Sequence, residues 1–198
     1  MSHGFDEYAV FTNIKKYLTK TGYTIADNDV KGKESFGKYM LYSKWVSLKA
    51  VNDRKEVKYV FLLSKHGVIT KSSDFNTILS NIKEKKVTAL IISPKPLKTP
   101  IRKNLKKYGA KGIKVRNLTY MNFVCDPTEN VYVPKHVVCS EEEKKAKLRD
   151  SRTSALCIPL ISPNDPQVIW LDAKPGQLIK ILRNDIIGPS VYYRIVSG

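Results

Sequence analysis

The chain has 198 residues, 42% of them hydrophobic, and 35 Lys/Arg against 18 Asp/Glu give it a net charge of +17. This length allows one generous domain or two small ones, and the charge points to a polyanionic partner. No apolar run approaches the roughly 20 residues needed to span a bilayer, and residues 1–6 lack the basic start and apolar stretch of a secretory signal, so an intracellular protein with no membrane partner is expected.

Residues 6–20 read as a helix, with Phe11, Ile14 and Leu18 at helical spacing, Asp6 and Glu7 in the first turn, and Gly22 as the stop. Gly32, Gly37 and the charges around them predict a polar connector. Residues 44–50 and 56–64 are rich in β-branched and aromatic side chains around the turn-like Asn52-Asp53, which predicts a hairpin. Asp74 is expected to cap a second helix, whose inner face is Phe75, Ile78, Leu79 and Ile82. A buried strand is expected at 89–92.

The segment Ser93-Pro94-Lys95-Pro96-Leu97-Lys98-Thr99-Pro100-Ile101-Arg102-Lys103 follows. Thr99 reads as an N-cap and Pro100 as a first-turn proline, since proline has no N–H to lose there. Ile101, Leu105 and Tyr108 give this helix an inner face, Arg102, Lys103, Lys106 and Lys107 a basic outer face, and Gly109 its end. Free amides and clustered cations favour phosphate, so the loop 95–103 reads as a contact to a nucleic-acid backbone; an ordinary capped surface helix has the same pattern. Lys111, Lys114 and Arg116 extend the basic surface, and Ile113 and Val115 alternate like a short strand.

The charge is uneven. Residues 1–125 hold 25 Lys/Arg and 9 Asp/Glu, residues 126–198 hold 10 and 9, and residues 83–116 alone hold 12 basic residues and one acid, Glu84. The step near Cys125 divides the chain into a basic module, 1–125, and an electrically plain one, 126–198. The first reads α, β-hairpin, α, β, α, β, an order that implies a mixed sheet with flanking helices. Its cations are not interleaved with aromatics as a single-strand platform requires, which favours contact with a duplex backbone.

Signatures of catalysis are sparse. The G-x-x-x-x-G-K, G-x-G-x-x-G, H-E-x-x-H and G-x-S-x-G patterns are absent, and His3, His66 and His136 lie far apart. Cys125, Cys139 and Cys157 are odd in number and widely spaced, and read as buried or idle thiols. Glu56-Val57-Lys58 on a strand, with Asp29 or Asp53 upstream, resembles the E-x-K element that holds Mg²⁺ in nucleases.

In the second module Ser140 and Glu143 form a capping box, and Lys144, Lys145, Lys147 and Arg149 follow in the order that a helix dipole favours. Residues 162–166 predict a break, 168–170 an apolar strand, and Lys174-Pro175-Gly176-Gln177 a type II turn. Residues 178–182 and 191–196 complete a small sheet. With few charges and many β-branched residues, this end is expected to pack against itself and against another chain.

The residues Val133-Pro134-Lys135-His136-Val137-Val138, Ser140, Ile158-Pro159, Asn164-Asp165-Pro166, Pro175-Gly176-Gln177-Leu178-Ile179-Lys180-Ile181-Leu182-Arg183 and Tyr193-Arg194-Ile195-Val196 carry a resemblance. They resemble the fifth subunit shared by eukaryotic RNA polymerases I, II and III, whose C-terminal domain matches the small archaeal counterpart of that polypeptide. The first half is similar more loosely, through its opening helix, residues 87–93 and Thr99-Pro100. Pro175 and Asn184-Asp185 depart from the family pattern, as do Ile101 and Arg102. Residues 166–171 and the divergent first half look most like versions encoded by large cytoplasmic DNA viruses.

The resemblance implies an α+β (α/β) protein: an N-terminal mixed-sheet jaw domain with flanking helices, 1–125, and a small C-terminal α+β assembly domain, 126–198. It implies a non-catalytic polymerase subunit with no cofactor, whose partners are the largest subunit, other polymerase subunits and downstream double-stranded DNA. The candidate DNA-binding residues are Lys95, Lys98, Thr99, Pro100, Arg102, Lys103 and Lys106. The candidate subunit interface is Val133, Pro134, His136, Val137, Pro175, Gly176, Gln177, Lys180, Arg183, Tyr193 and Arg194. A viral version would reside in the virion and host cytoplasm, and a cellular one in the nucleus. A Mg²⁺-dependent nuclease and a stand-alone basic DNA-binding adaptor are the alternatives.

Overall fold

The computed structural model describes residues 6–27, 30, 32–65, 72–80, 82, 87–151, 157–185 and 188–198. His3, Asp29, His66 and the 83–86 part of the basic run lie outside them. The chain divides into two compact units, Met1–Cys125 and Asp126–Gly198, and both are mixtures of helix and sheet, an α+β architecture.

In the first unit the Asp6 carboxylate accepts from the N–H groups of Tyr8 at 2.9 Å and Ala9 at 3.4 Å, which starts α1 (Glu7–Lys20). Gly22, at φ 79°, turns the chain out of the helix into β1 (Tyr23–Asp27), a conformation that glycine adopts without a Cβ penalty. The expected polar connector is instead α2 (Gly32–Tyr42). Two glycines of low helix propensity hide it, and only Phe36 and Met40 are buried, so the apolar period is two residues long. Packing holds it in place: the Phe36 ring lies 4.8 Å from Phe11 and 5.6 Å from Tyr8.

The expected hairpin is β2 (Trp45–Asn52) and β3 (Val57–Leu63), paired antiparallel. Asn52 closes its turn, accepting the Glu56 N–H and donating to the Glu56 carboxylate, both at 2.8 Å. Next come α3 (Ser72–Ser80), β4 (Val87–Ser93), α4 (Thr99–Lys106) and β5 (Ile113–Thr119), giving a five-stranded sheet in the order β1-β2-β3-β4-β5. β3, β4 and β5 run parallel, so the sheet is mixed. Asp74 is not the cap of α3: it sits inside the first turn, where its carboxylate meets Lys44 Nζ at 3.9 Å.

Alternation sends Phe61, Leu63, Ala89 and Ile91 to one sheet face, under Phe75, Ile78 and Leu79 of α3 and Ile101 and Leu105 of α4. Lys58, Val60 and Leu62 take the other face, and Tyr17 of α1 lies above Lys58. Gly109 does not end α4. The chain continues as a 3₁₀ turn, Lys107–Lys111, and leaves it at Gly112, φ 80°.

The second unit is a four-stranded sheet in the order β6-β8-β9-β7, built from β6 (Lys135–Val138), β7 (Leu160–Ile161), β8 (Leu178–Asp185) and β9 (Gly188–Val196). Ser140 and Glu143 make the expected reciprocal box at the start of α5 (Glu141–Asp150). The apolar strand expected at 168–170 is a helix, α6 (Pro166–Trp170), because the Asp165 side chain caps the Gln167 N–H at 2.8 Å and Pro166 fits the first turn. This local signal outweighs the β-branched composition of Val168-Ile169. The turn 174–177 has its expected geometry: Gly176 at φ 85° and a Gln177 N–H to Lys174 carbonyl bond of 3.1 Å.

Candidate nucleic-acid and subunit interfaces

In the first unit the candidate surface begins where β4 ends. The Asn117 Nδ2 donates to the carbonyls of Ile91 at 3.0 Å and Leu118 at 3.1 Å and to Ser93 Oγ at 3.1 Å, while its Oδ1 accepts from the Leu97 N–H at 3.4 Å. Ser93 Oγ in turn donates to the Lys95 carbonyl at 2.7 Å. One carboxamide on β5 thus fixes both ends of the loop, and the buried Leu97 and Ile101 pin the loop and α4 to the core.

This anchoring leaves Lys95, Lys98, Thr99, Pro100, Arg102, Lys103 and Lys106 exposed on one continuous loop and helix. The predicted cap is shifted by one residue. Lys98, at φ −60° and ψ 149°, is the N-cap, with no side-chain hydrogen bond, so Thr99 is the first helical residue and Pro100 the second. A lysine cannot accept an amide proton, and the first-turn N–H groups keep no side-chain acceptor. Among the described residues, none of these five cations pairs with a carboxylate, unlike Lys33, Lys44 and Lys144, which pair with Asp6, Asp74 and Glu141. Net positive charge, free cations and first-turn amides therefore coincide. Tyr108 is half-buried, and its hydroxyl donates to Asn76 Oδ1 at 2.7 Å, bracing this segment against α3.

The nuclease-like triplet is dispersed. Lys58 is 1% exposed, with Nζ 4.1 Å from the Tyr23 ring centre and donating to the Tyr17 hydroxyl at 3.3 Å, whereas Glu56 is exposed in the hairpin turn. Among the described residues no three His, Cys, Asp or Glu side chains group as metal ligands.

In the second unit, register brings part of the predicted interface together. Val137, Lys180 and Tyr193 form one cross-strand row over β6, β8 and β9. His136 lies opposite Ile181, its Nδ1 2.7 Å from the Pro134 carbonyl. Arg183 and Arg194 fall on other rows. The Arg183 guanidinium lies 4.7 Å over the Tyr192 ring, and Arg194 donates to the Leu160 carbonyl at 3.0 Å. The turn Pro175-Gly176-Gln177 serves the fold itself: the Gly176 N–H donates to the Val196 carbonyl at 2.8 Å, and the Gly176 carbonyl accepts Lys144 Nζ at 2.8 Å.

β6 is an edge strand. A groove beside it is lined by Val131, Tyr132, Val133, Pro134, Lys135, Leu182, Arg183 and Asn184. Val131 is 89% and Tyr132 91% exposed, and Val137, Val191 and Tyr192 are also open. An edge strand flanked by exposed apolar side chains suits another chain. Sequence reasoning missed Val131, Tyr132 and Asn117. The first two carried a usable signal, an aromatic and a branched residue in a polar turn region, but a lone Asn within a strand carried none. Of the three cysteines, Cys139 is buried, and burial and then the Glu143 carboxylate push its thiol up; Cys125 and Cys157 are exposed.

Comparison with known proteins places this second unit in context. The family profile described as RNA polymerase Rpb5, C-terminal domain, matches residues 125–196. DNA-directed RNA polymerase subunit Rpo5 of Thermoplasma volcanium is 45% identical over 72 residues, 33% of this chain and 83% of that protein. The Rpo5 of Pyrococcus abyssi is 45% identical over 69 residues, 34% of this chain and 84% of its own length. The Rpo5 of Metallosphaera sedula is 40% identical over 75 residues, 37% and 90% respectively.

Proposed function

Because the chain belongs to the Rpb5/Rpo5 family of RNA polymerase subunits, we infer that it is a non-catalytic assembly and DNA-positioning subunit of a multisubunit polymerase. Unit Asp126–Gly198, through β6 and its groove, docks on the largest subunit. Unit Met1–Cys125 contacts duplex DNA ahead of the active site through Lys95, Lys98, Arg102, Lys103 and Lys106, with Thr99 offering its N–H to the phosphates and Pro100, which has none, fixing the first turn that points the positive end of α4 at them. The carrying observation is that the archaeal relatives are aligned over more than four-fifths of their length while this chain adds a second, strongly basic unit.

The divergence of the first unit from the family pattern supports a version encoded by a large cytoplasmic DNA virus, active in the host cytoplasm and packaged in the virion. A tagged chain is expected to bring down the two large polymerase subunits in stoichiometric amount. Recovery of the chain alone supports a stand-alone adaptor instead. In the assembled polymerase, alanine at Lys95, Lys98, Arg102 and Lys103 is expected to flatten the log–log salt dependence of DNA retention by roughly 0.9 per lost phosphate contact. An unchanged slope removes the DNA assignment. The buried position of Lys58 argues against the nuclease alternative, which predicts Mg²⁺-dependent cleavage of duplex DNA that Glu56→Ala abolishes.

A further inference from the structure

Three Ser/Thr-Pro pairs occur in the chain, Ser93-Pro94, Thr99-Pro100 and Ser162-Pro163. Proline-directed protein kinases require this pair, and they act faster when a basic residue stands three positions after the hydroxyl. Ser93 is 2% exposed, and its hydroxyl is spent on the Lys95 carbonyl. Ser162 is exposed, but it accepts the Asn164 N–H at 3.1 Å, and the residue three on is Asp165. Thr99 is exposed and is followed three positions later by Arg102, also exposed.

We propose that Thr99 is a phosphorylation site for a proline-directed kinase and that its phosphate switches off the basic surface; the switching part rests on the DNA-contact reading above. Thr99 Oγ1 attacks the γ-phosphorus of ATP, the bond from that phosphorus to the ADP oxygen breaks, and the hydroxyl proton passes to the kinase base and then to solvent. Access requires the first turn of α4 to open. Lys98 is already extended and Pro100 has no N–H to give up, but the Arg102 N–H to Lys98 carbonyl bond of 3.1 Å must yield, and the buried Ile101 must leave the core for Arg102 to be read three positions after Thr99. The product places a charge of about −1.5 to −2 among Lys95, Lys98, Arg102 and Lys103. It offsets about two of these cations, so the log–log salt slope of DNA binding falls by roughly 1.8.

The full chain is incubated with a cyclin-dependent-type kinase and Mg-ATP, and the phosphosite is mapped by mass spectrometry. Phosphate at Thr99, formed more slowly in Arg102→Ala and absent in Thr99→Val, is the expected result. Phosphate at Ser162 without Thr99, or none, overturns the site. Duplex DNA binding is then measured against salt for the unmodified chain, the phosphorylated chain and the Lys95/Lys98/Arg102/Lys103 alanine variant. If the alanine variant flattens the slope and phosphorylation does not, the switch is overturned while DNA contact stands. If neither changes it, the DNA contact itself fails and the switch with it, whereas the mapped phosphosite stands.

Discussion

Asn117 on β5 holds Leu97 in the loop before α4, its Oδ1 accepting the Leu97 N–H at 3.4 Å while its Nδ2 is shared among Ile91, Ser93 and Leu118. The side chain links strand order to the placement of the basic edge. Asn117→Ala leaves several partly buried polar groups unpaired, so a loss of about 1–3 kcal/mol in stability is expected from denaturant unfolding. Hydrogen exchange at the Leu97 amide should rise above the level that this global loss explains. DNA affinity should fall with its salt slope retained, because every cation remains. A flattened slope would mean that Asn117 acts on charge instead of on position.

Lys58 is charged chemistry in a core position, lying between the rings of Tyr17 and Tyr23. Its four-carbon stem fills volume that an apolar side chain of similar length can fill. Lys58→Met is expected to shift stability by about 1.5 kcal/mol or less, whereas Lys58→Ala leaves a cavity and costs about 2–5 kcal/mol. Comparing the two denaturant midpoints checks this, and equal large losses would show that the ammonium group, not its volume, matters at this position.

Tyr120 gives the first unit an alkaline limit. Its hydroxyl bonds to the Leu63 carbonyl and lies 3.0 Å from Glu7 Oε1. Burial first, and then the Glu7 carboxylate, push the phenol far above its ordinary value of 10.0. A raised folded-state value means that the tyrosine's contribution is whole below pH 10 and is lost as pH rises beyond it, because the unfolded chain then releases a proton the folded chain keeps. The loss approaches about 1.4 kcal/mol per pH unit for this one group. Tyr120→Phe should be less stable at pH 7 by about 1–3 kcal/mol, yet decline less steeply than the parent between pH 10 and 11. Parallel decline in the two proteins would move the alkaline sensitivity to other residues.

Most of the first unit is legible in the sequence because its elements announce themselves locally. Asp6, the Asn52 turn and the apolar run of β4 each combine a propensity with a boundary signal. α2 is not legible, since two glycines and a two-residue apolar face leave its existence to contacts with Phe11 and Tyr8 from another element. The helix at Pro166–Trp170 is hidden by its β-branched composition, and only the Asp165-Pro166 cap betrays it. The basic surface is legible as charge and spacing, but its support by Asn117 depends on the parallel pairing of β4 with β5, a relation between distant residues that no local pattern carries. The same holds for the row Val137, Lys180 and Tyr193, which exists only once β8 lies between β6 and β9.

The groove beside β6 is lined in part by Tyr132, and Val137 lies on that edge strand. Tyr132 is 91% exposed, so it contributes little burial to folding, and its substitution should change stability by no more than about 0.5 kcal/mol, whereas Val137, 37% exposed, is mostly covered within the sheet and its substitution costs more. Docking on the largest subunit would bury both. A tyrosine that becomes enclosed on binding is the residue type that dominates interface energetics, and Tyr132→Ala is expected to cost about 2 kcal/mol, close to a thirtyfold loss in affinity. Val137→Glu should weaken assembly further by replacing an apolar contact with a carboxylate that must lose water against the partner, a cost that Lys180 opposite it in the ladder offsets only in part. Competition between each variant and the parent chain for the largest subunit measures both effects, with circular dichroism confirming that the fold is kept. Equal competition by both variants would exclude the β6 edge as the docking surface and leave the opposite edge, β7 with the exposed Leu160, as the place to test next.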